Sequence, residues 1–439
     1  MAKKRVMLVG ALAAATVAIA LSGCSSNSGS SDKNVTLEYW ASNQGTSLAN
    51  DKKVLTPVLN KFTKQTGIKV NLTVIGWNDL QNKINTAISS NQGPDVVNIG
   101  NTWGPAFQAS GAFVDLSEHA DAIGGLDKFA TTALNAGSQK GKTDHPASVP
   151  LYGLAYGLYY NKALFKAAGI TTPPTTWEEF VADAKKLTDP SKGQYGVAIA
   201  GASYTENVHF AFLTAAQNGA EFYDGDKPTF TSDAIVSGVQ RYLDLIGKDK
   251  VVNPDDAQLD NGSDPLQELA QGKAAMVLSQ NNADATLLSQ GMKEGDYGVT
   301  NLPWPADTPA EDQISTFPAG INIAIFSYTQ HLDQALKFVK YMTSEDTQAT
   351  LDKPYKTLPV LKDASPSFTD DADEAKVFTT AYNEQSKVLP QVATEGDFES
   401  AVGKAVTNLI ADIAQGKNVS ASDIKKALSD AQTTVEAAG

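Results

Sequence analysis

One cysteine in 439 residues excludes an intrachain disulfide. Stability must come from a hydrophobic core, and a chain of this length can bury a large one, commonly split between two domains. Arginine is almost as scarce, with only Arg5 and Arg241. Pockets for phosphate or carboxylate favour forked arginine donors, so the scarcity points to a neutral ligand. Arg241 lies on the helical stretch "VQRYLDLIG", where a solvated face is expected. The four histidines, His119, His145, His209 and His331, are scattered, which argues against a metal cluster, and no cofactor is expected. No G-x-S-x-G, P-loop or H-E-x-x-H occurs. No internal repeat is visible. Apart from the N-terminal run, no apolar stretch approaches the ~20 residues of a spanning helix. With 35 basic against 49 acidic residues, the chain lacks the basic footprint of a nucleic-acid binder. Solubility alone accounts for the acidity.

The N-terminus carries the basic residues that stand apart. Lys3, Lys4 and Arg5 precede an apolar run from Val6 to Leu21, the layout of a secretory signal. Leu21-Ser22-Gly23-Cys24 resembles the lipobox of bacterial lipoproteins. That resemblance implies cleavage after residue 23 and lipid on the Cys24 sulfur; the alternative is an ordinary signal with a stray cysteine. Ser25 to Lys33 reads as a Ser/Gly-rich tether. The expected product is exported and held at the outer face of the cell membrane by its lipid alone.

Strand and helix patterns then alternate. "VTLEYW" has the period of a half-buried strand. Val54, Leu55, Val58, Leu59 and Phe62 fall at helical spacing up to Gly67. "IKVNLTVIG" is a second strand, "WNDLQNKINTAISS" a helix and "GPDVVNIGN" a third strand. Further along, Thr176 and Glu179 form a capping box for a helix whose Trp177, Phe180, Val181, Ala184 and Leu187 face a core. "FYDGDKPTF" reads as a hairpin. "AAMVLS" and "AGINIAIF" are strands, and Phe398, Val402, Leu409 and Ile413 stripe a C-terminal helix. The alternation predicts α/β architecture with mainly parallel sheets.

Four segments in order, "GPDVVNIGNTWGPAFQASGAFVDLS", "LYYNKALFKAAGITTPPTTWEEF", "QGKAAMVLSQ" and "AGINIAIFSYTQHLDQALKFVKYMTSEDTQ", resemble the family 1 extracellular solute-binding proteins, the sugar-binding components of ABC importers. The resemblance implies a two-lobed, type II periplasmic-binding-protein fold with a hinge crossed several times. Expected boundaries are 1–23 signal, 24–33 tether, 34–150 plus 303–345 for one lobe, and 151–302 plus 346–439 for the other. It also implies a monomer that clamps a neutral sugar, expected as an oligosaccharide, and delivers it to membrane permease subunits.

Ligands of open α/β sheets bind beyond the carboxyl ends of the strands. That rule selects Ser42, Asn43 and Gln44 after the first strand, Trp77 and Asp79 after the second, and Asn101 and Trp103 after the third. Indoles stack on sugar C–H faces, and amides and carboxylates pair with hydroxyls. The second lobe offers Tyr152 and Tyr156 at the expected hinge, Tyr204, Glu206, Asn207 and His209 after "GVAIAG", and Gln280, Asn281 and Asn282 after "AAMVLS". Trp304, Phe317, Phe398 and Glu399 complete the candidates. Each has a plainer alternative: Asn43 as a helix cap, and Trp77, Trp103, Tyr152 and Tyr156 as core. Asp95 is expected to be structural. "QNN" at 280–282 stands where maltose-type members carry Gly-Pro-Trp, which removes one stacking platform. A binder of polyamines or peptides, a secreted glycosidase with paired carboxylates, and an adhesin are the rival classes.

Overall fold

The computed structural model describes residues 35–439. The signal sequence, the tether and Cys24 lie outside the described residues. Among the described residues there are eleven strands: β1 (Thr36–Ser42), β2 (Lys69–Ile75), β3 (Val96–Gly100), β4 (Ser148–Leu154), β5 (Tyr156–Asn161), β6 (Tyr195–Ala198), β7 (Tyr223–Asp224), β8 (Lys227–Pro228), β9 (Ala274–Gln280), β10 (Tyr297–Thr300) and β11 (Ala319–Ile325). They build a five-stranded sheet in the order β2-β1-β3-β11-β4, a four-stranded sheet in the order β10-β5-β9-β6, and the β7-β8 hairpin. Each large sheet carries helices and anchors one lobe.

The expectation of mainly parallel sheets is corrected to mixed ones. β1 runs parallel to β2 and β3, but β11 is antiparallel to both β3 and β4. In the second sheet only β6–β9 is parallel, and β5 is antiparallel to β9 and β10. The physical reason is the passage between lobes. β4 and β5 are separated by Ala155 alone, so the chain leaves one sheet and enters the next without a helical crossover. Every residue of β4 and β11 is buried, and strands buried on both faces show no alternation that would reveal their direction.

Local chemistry explains the elements around the cleft. The helix Leu48–Thr66 starts at Ser47, whose hydroxyl accepts from Asn50 N, and stops at Gly67 with φ 81°, where a left-handed residue without Cβ closes the helix. Leu55, Val58, Leu59 and Phe62 of this helix enter the first core with Leu37, Tyr39 and Phe338. The capping box of the helix Trp177–Leu187 is present, with Thr176 and Glu179 bonded reciprocally. Trp177 and Phe180 join the second core, around the helices Tyr204–Ala216 and Glu395–Ala414. Arg241 departs from its expected solvated position. It is half-buried, and it donates to Thr214 O at 2.6 Å, Gln217 Oε1 at 2.8 Å and Asn218 Oδ1 at 3.0 Å. These groups end the helix Tyr204–Ala216, whose free carbonyls favour a cation. Among the described residues no helix is long and apolar enough to cross a membrane.

Candidate functional site

A cavity of about 320 Å³ opens between the two sheets. Its first wall is the set of loops at the carboxyl ends of β1, β2 and β3, and Asp51 shapes the first of these. Asp51 is fully buried on the apolar face of its helix, one turn before Leu55. Its carboxylate accepts from Asn43 Nδ2 at 2.6 Å, Gly45 N at 2.8 Å and Gln44 N at 3.3 Å. Burial pushes its pKa up, and these bonds oppose the shift. The loop is thereby folded so that Asn43 and Gln44 line the cavity. Gln44 is 5% exposed and its Nε2 has no hydrogen-bond partner. The Trp77 indole donates to Asn43 O at 2.8 Å and meets the Trp103 ring edge to face at 5.6 Å. With both N–H groups committed inside the protein, ring surface is what the indoles can offer a ligand.

The second wall starts at the helix Tyr204–Ala216. Ser203 caps it by accepting from Glu206 N, and Glu206 and His209, three apart, share one face. Tyr156 lies beneath them, fully buried. Its hydroxyl donates to Glu206 Oε2 at 3.0 Å and lies 2.8 Å from His209 Nδ1. Glu399, 1% exposed, places Oε1 3.7 Å from His209 Nε2 and accepts from Trp103 Nε1 on Oε2 at 2.8 Å. Burial pushes Glu206 up, against the pull of His209 and Tyr156. Burial also presses on Glu399, but His209, Glu395 and Thr102 outweigh it and hold that carboxyl below its usual range. The approach of the two helices depends on Gly403: a Cβ there would stand 2.2 Å from Tyr204 O.

Twelve of the expected residues meet at this cavity: Asn43, Gln44, Trp77, Asp79, Asn101, Trp103, Glu206, His209, Gln280, Asn282, Phe317 and Glu399. Eight lie elsewhere. Ser42 is buried behind the loop. Tyr152 packs in the first core, edge-on to Tyr355 at 5.4 Å. Tyr156 sits under the wall. Asn207 is fully buried and bonds Gly201 O, Thr407 Oγ1 and the Tyr242 hydroxyl. Asn281 accepts from Ala155 N and donates to Lys356 O, tying two inter-sheet passages together. Phe398 is in the core against Phe222 and Phe230, because it belongs to the apolar stripe of its helix while Glu399 faces one residue further round. Tyr204 reaches across to Gln81 Oε1 at 3.4 Å. Trp304 is half-buried, with its carbonyl accepting from Trp177 N at 2.9 Å. Asp95 is structural, accepting from Glu38 N and Thr329 Oγ1.

The cavity also takes Thr102, Ser203, Thr205 and the turn Asp260-Asn261-Gly262, none of them expected from the sequence. Ser203 and Glu206 spell an S-x-x-E helix start, so the position of Ser203 was readable. The Asp260–Gly262 turn carried only a loop signature. No lysine or arginine lines the cavity, and among the described residues no group of three or more His, Cys, Asp or Glu could hold a metal ion.

Residues 45–349, well over half of the chain, match the family of bacterial extracellular solute-binding proteins. A diacetylchitobiose binding protein of Streptomyces coelicolor is 27% identical over 304 residues, 68% of each chain. A solute-binding protein of Thermotoga lettingae bound to α-D-tagatose superposes with TM-score 0.79 at 21% identity, covering 91% of this chain and all of that one. One from Agrobacterium radiobacter in complex with ribitol gives TM-score 0.78 at 25% identity, covering 93% and 99%. The two mixed sheets facing a shared cavity are the two-lobed architecture of such binding proteins, and the chain belongs to the bacterial extracellular solute-binding proteins.

Proposed function

We propose that this protein captures a short, neutral saccharide or sugar alcohol between its lobes and hands it to the permease of an ABC importer. The observation that carries the reading is the cavity itself. Two indoles stand on one wall, amides and carboxylates surround them, and no basic side chain is present. Rings bury sugar C–H faces, and the polar groups pair with hydroxyls. A volume of about 320 Å³ is at the low end of the roughly 300–1,000 Å³ typical of ligand pockets, which favours one or two sugar rings over a longer chain. The tagatose- and ribitol-bound structures and the diacetylchitobiose-binding relative support ligands of that size.

The hinge in this reading lies where the chain steps between sheets: at Ala155, just past Pro150; in the segment from Thr300 to Ala319, which includes Pro303; and between Tyr355 and Leu358, beyond the helix that follows Ser344. Export and attachment through lipid on Cys24 complete the proposal, and the binder acts as a monomer without hydrolysing its ligand.

A thermal-shift screen of monosaccharides, disaccharides, polyols, polyamines and peptides tests it, because a ligand held only by the folded form raises Tm. The expected hits are small saccharides or polyols. For the best hit, Trp77→Ala lowers affinity by about 10- to 100-fold, as expected for a lost aromatic platform. Shifts from polyamines or peptides alone, or release of reducing ends from an oligosaccharide, sink the reading.

A further inference from the structure

We infer that Glu399 is the positioning residue that links ligand occupancy to closure of the lobes, an inference that rests on the proposed capture of a sugar in this cavity. Its two oxygens have different fates. Oε2 accepts from Trp103 Nε1 at 2.8 Å in a buried bond between residues 296 apart in sequence. Trp103 follows β3 of the first sheet, whereas Glu399 is on the helix Glu395–Ala414, packed in the core of the second lobe. The bond therefore exists only while the lobes are together. Oε1 is buried with no well-formed hydrogen bond, although His209, Glu395 and Thr102 surround the carboxylate and stabilise its charge, and Glu399 lines the cavity. The nearest opposite group, His209 Nε2, is 3.7 Å away, too far for a hydrogen bond.

A buried carboxylate with one oxygen held only by long or poorly aligned contacts is costly. An empty closed form carries that cost, and opening lets water relieve it. A sugar hydroxyl donating to Oε1 removes the cost without opening, and the same sugar lies against the Trp103 ring. Ligand and Trp103 thus share one carboxylate, and the ligand contacts the closed form in a way it cannot contact the open one, which is what shifts such an equilibrium.

The supports behind Glu399 fit the role. His209 lies 2.8 Å from the Tyr156 hydroxyl, and Tyr156 is the first residue of β5, directly after the passage at Ala155. Glu395, one turn earlier on the same helix, is fully buried, and burial together with the Glu399 charge pushes its carboxyl well up. The negative charge of the pair therefore rests on Glu399.

The test is a double-mutant cycle on the saccharide that most raises the wild-type Tm, read by calorimetric affinity and by compaction in solution scattering. Trp103→Phe keeps a ring and loses the N–H, and Glu399→Ala loses the acceptor. Each is expected to lower affinity by about 10- to 100-fold and to leave the chain expanded at ligand saturation, while the double variant is no worse than the weaker single one. Glu399→Gln, which keeps an acceptor for Trp103, recovers compaction and most of the affinity, and far-UV dichroism confirms that the variants are folded. Effects that multiply, or single variants that compact as the wild type does, overturn the inference and leave the sugar reading standing. A wild type that binds no saccharide overturns both.

Discussion

Gly403→Ala is expected to melt on the order of 5 °C below the wild type and to lose more than tenfold in ligand affinity. The substitution adds one carbon, yet that carbon would lie 2.2 Å from Tyr204 O and 2.9 Å from Tyr204 C. Backbone atoms cannot rotate aside, so the helices Tyr204–Ala216 and Glu395–Ala414 must separate. Overpacking of this kind costs roughly 1–3 kcal/mol and occasionally more. Alanine is favoured over glycine in a helix by about 1 kcal/mol, so a destabilising result would have to overcome its better propensity. The functional loss follows from what the helices carry. His209 is on one and Glu399 on the other, and their 3.7 Å separation is set by this contact. Differential scanning calorimetry and titration calorimetry read both effects. A variant that melts within 1 °C of the wild type and binds normally shows that the contact does not position the site.

Much of this arrangement is legible in the sequence because binding sites of open sheets gather at the carboxyl ends of strands. The strand patterns located the loops holding Asn43, Trp77, Asn101 and Trp103, and all four line the cavity. The strand "GVAIAG" likewise pointed to the segment holding Glu206 and His209, which both line the cavity, although they sit on the helix Tyr204–Ala216 rather than in a loop. What the sequence hides is rotation about an axis. Phe398 and Glu399 are neighbours, but one faces the core and the other the cavity, and only the packing of their helix decides which. Tyr152 and Tyr156 are equally aromatic and close in sequence, yet they serve the first core and the underside of the second wall. Asp51 had a readable signal, a carboxylate on the apolar stripe of Leu55, Val58 and Phe62. Its task, folding the Asn43–Gly45 loop, needs the loop's coordinates. Strand direction was hidden for a different reason: β4 and β11 are buried on both faces, so their patterns say nothing of whether they run with or against their neighbours.

Raising the pH from 5.5 to 8 is expected to lower the Tm by several degrees. Asp352 is 4% exposed, and burial pushes it up to about 7 against the opposing bond from Thr357. Glu374 is pushed up to about 7 by burial and by the charge of Asp284. Asp256 and Glu395, 1% and 0% exposed, are raised as well, first by burial and then by neighbouring carboxylates. A carboxyl raised on folding keeps its proton where the unfolded chain has lost it. Its contribution is therefore fully present below the unfolded pKa near 4 and is lost as pH rises through the folded value near 7. Each such group withdraws about 1.4 kcal/mol per pH unit across that window. Glu399, held low, contributes in the opposite sense, but its loss falls below the unfolded value, outside the range scanned. The net charge of −14 adds self-repulsion of the same sign as the loss. Asp352→Asn removes one titration and keeps an oxygen for the Thr357 hydroxyl, which bonds Asp352 Oδ1 at 2.7 Å. It is expected to match or exceed the wild type at pH 8 and to flatten the slope by about 2 kcal/mol between pH 5.5 and 7. A Tm that is constant or rises toward pH 8, or an Asp352→Asn slope equal to that of the wild type, shows that these carboxyls are ionised inside the fold.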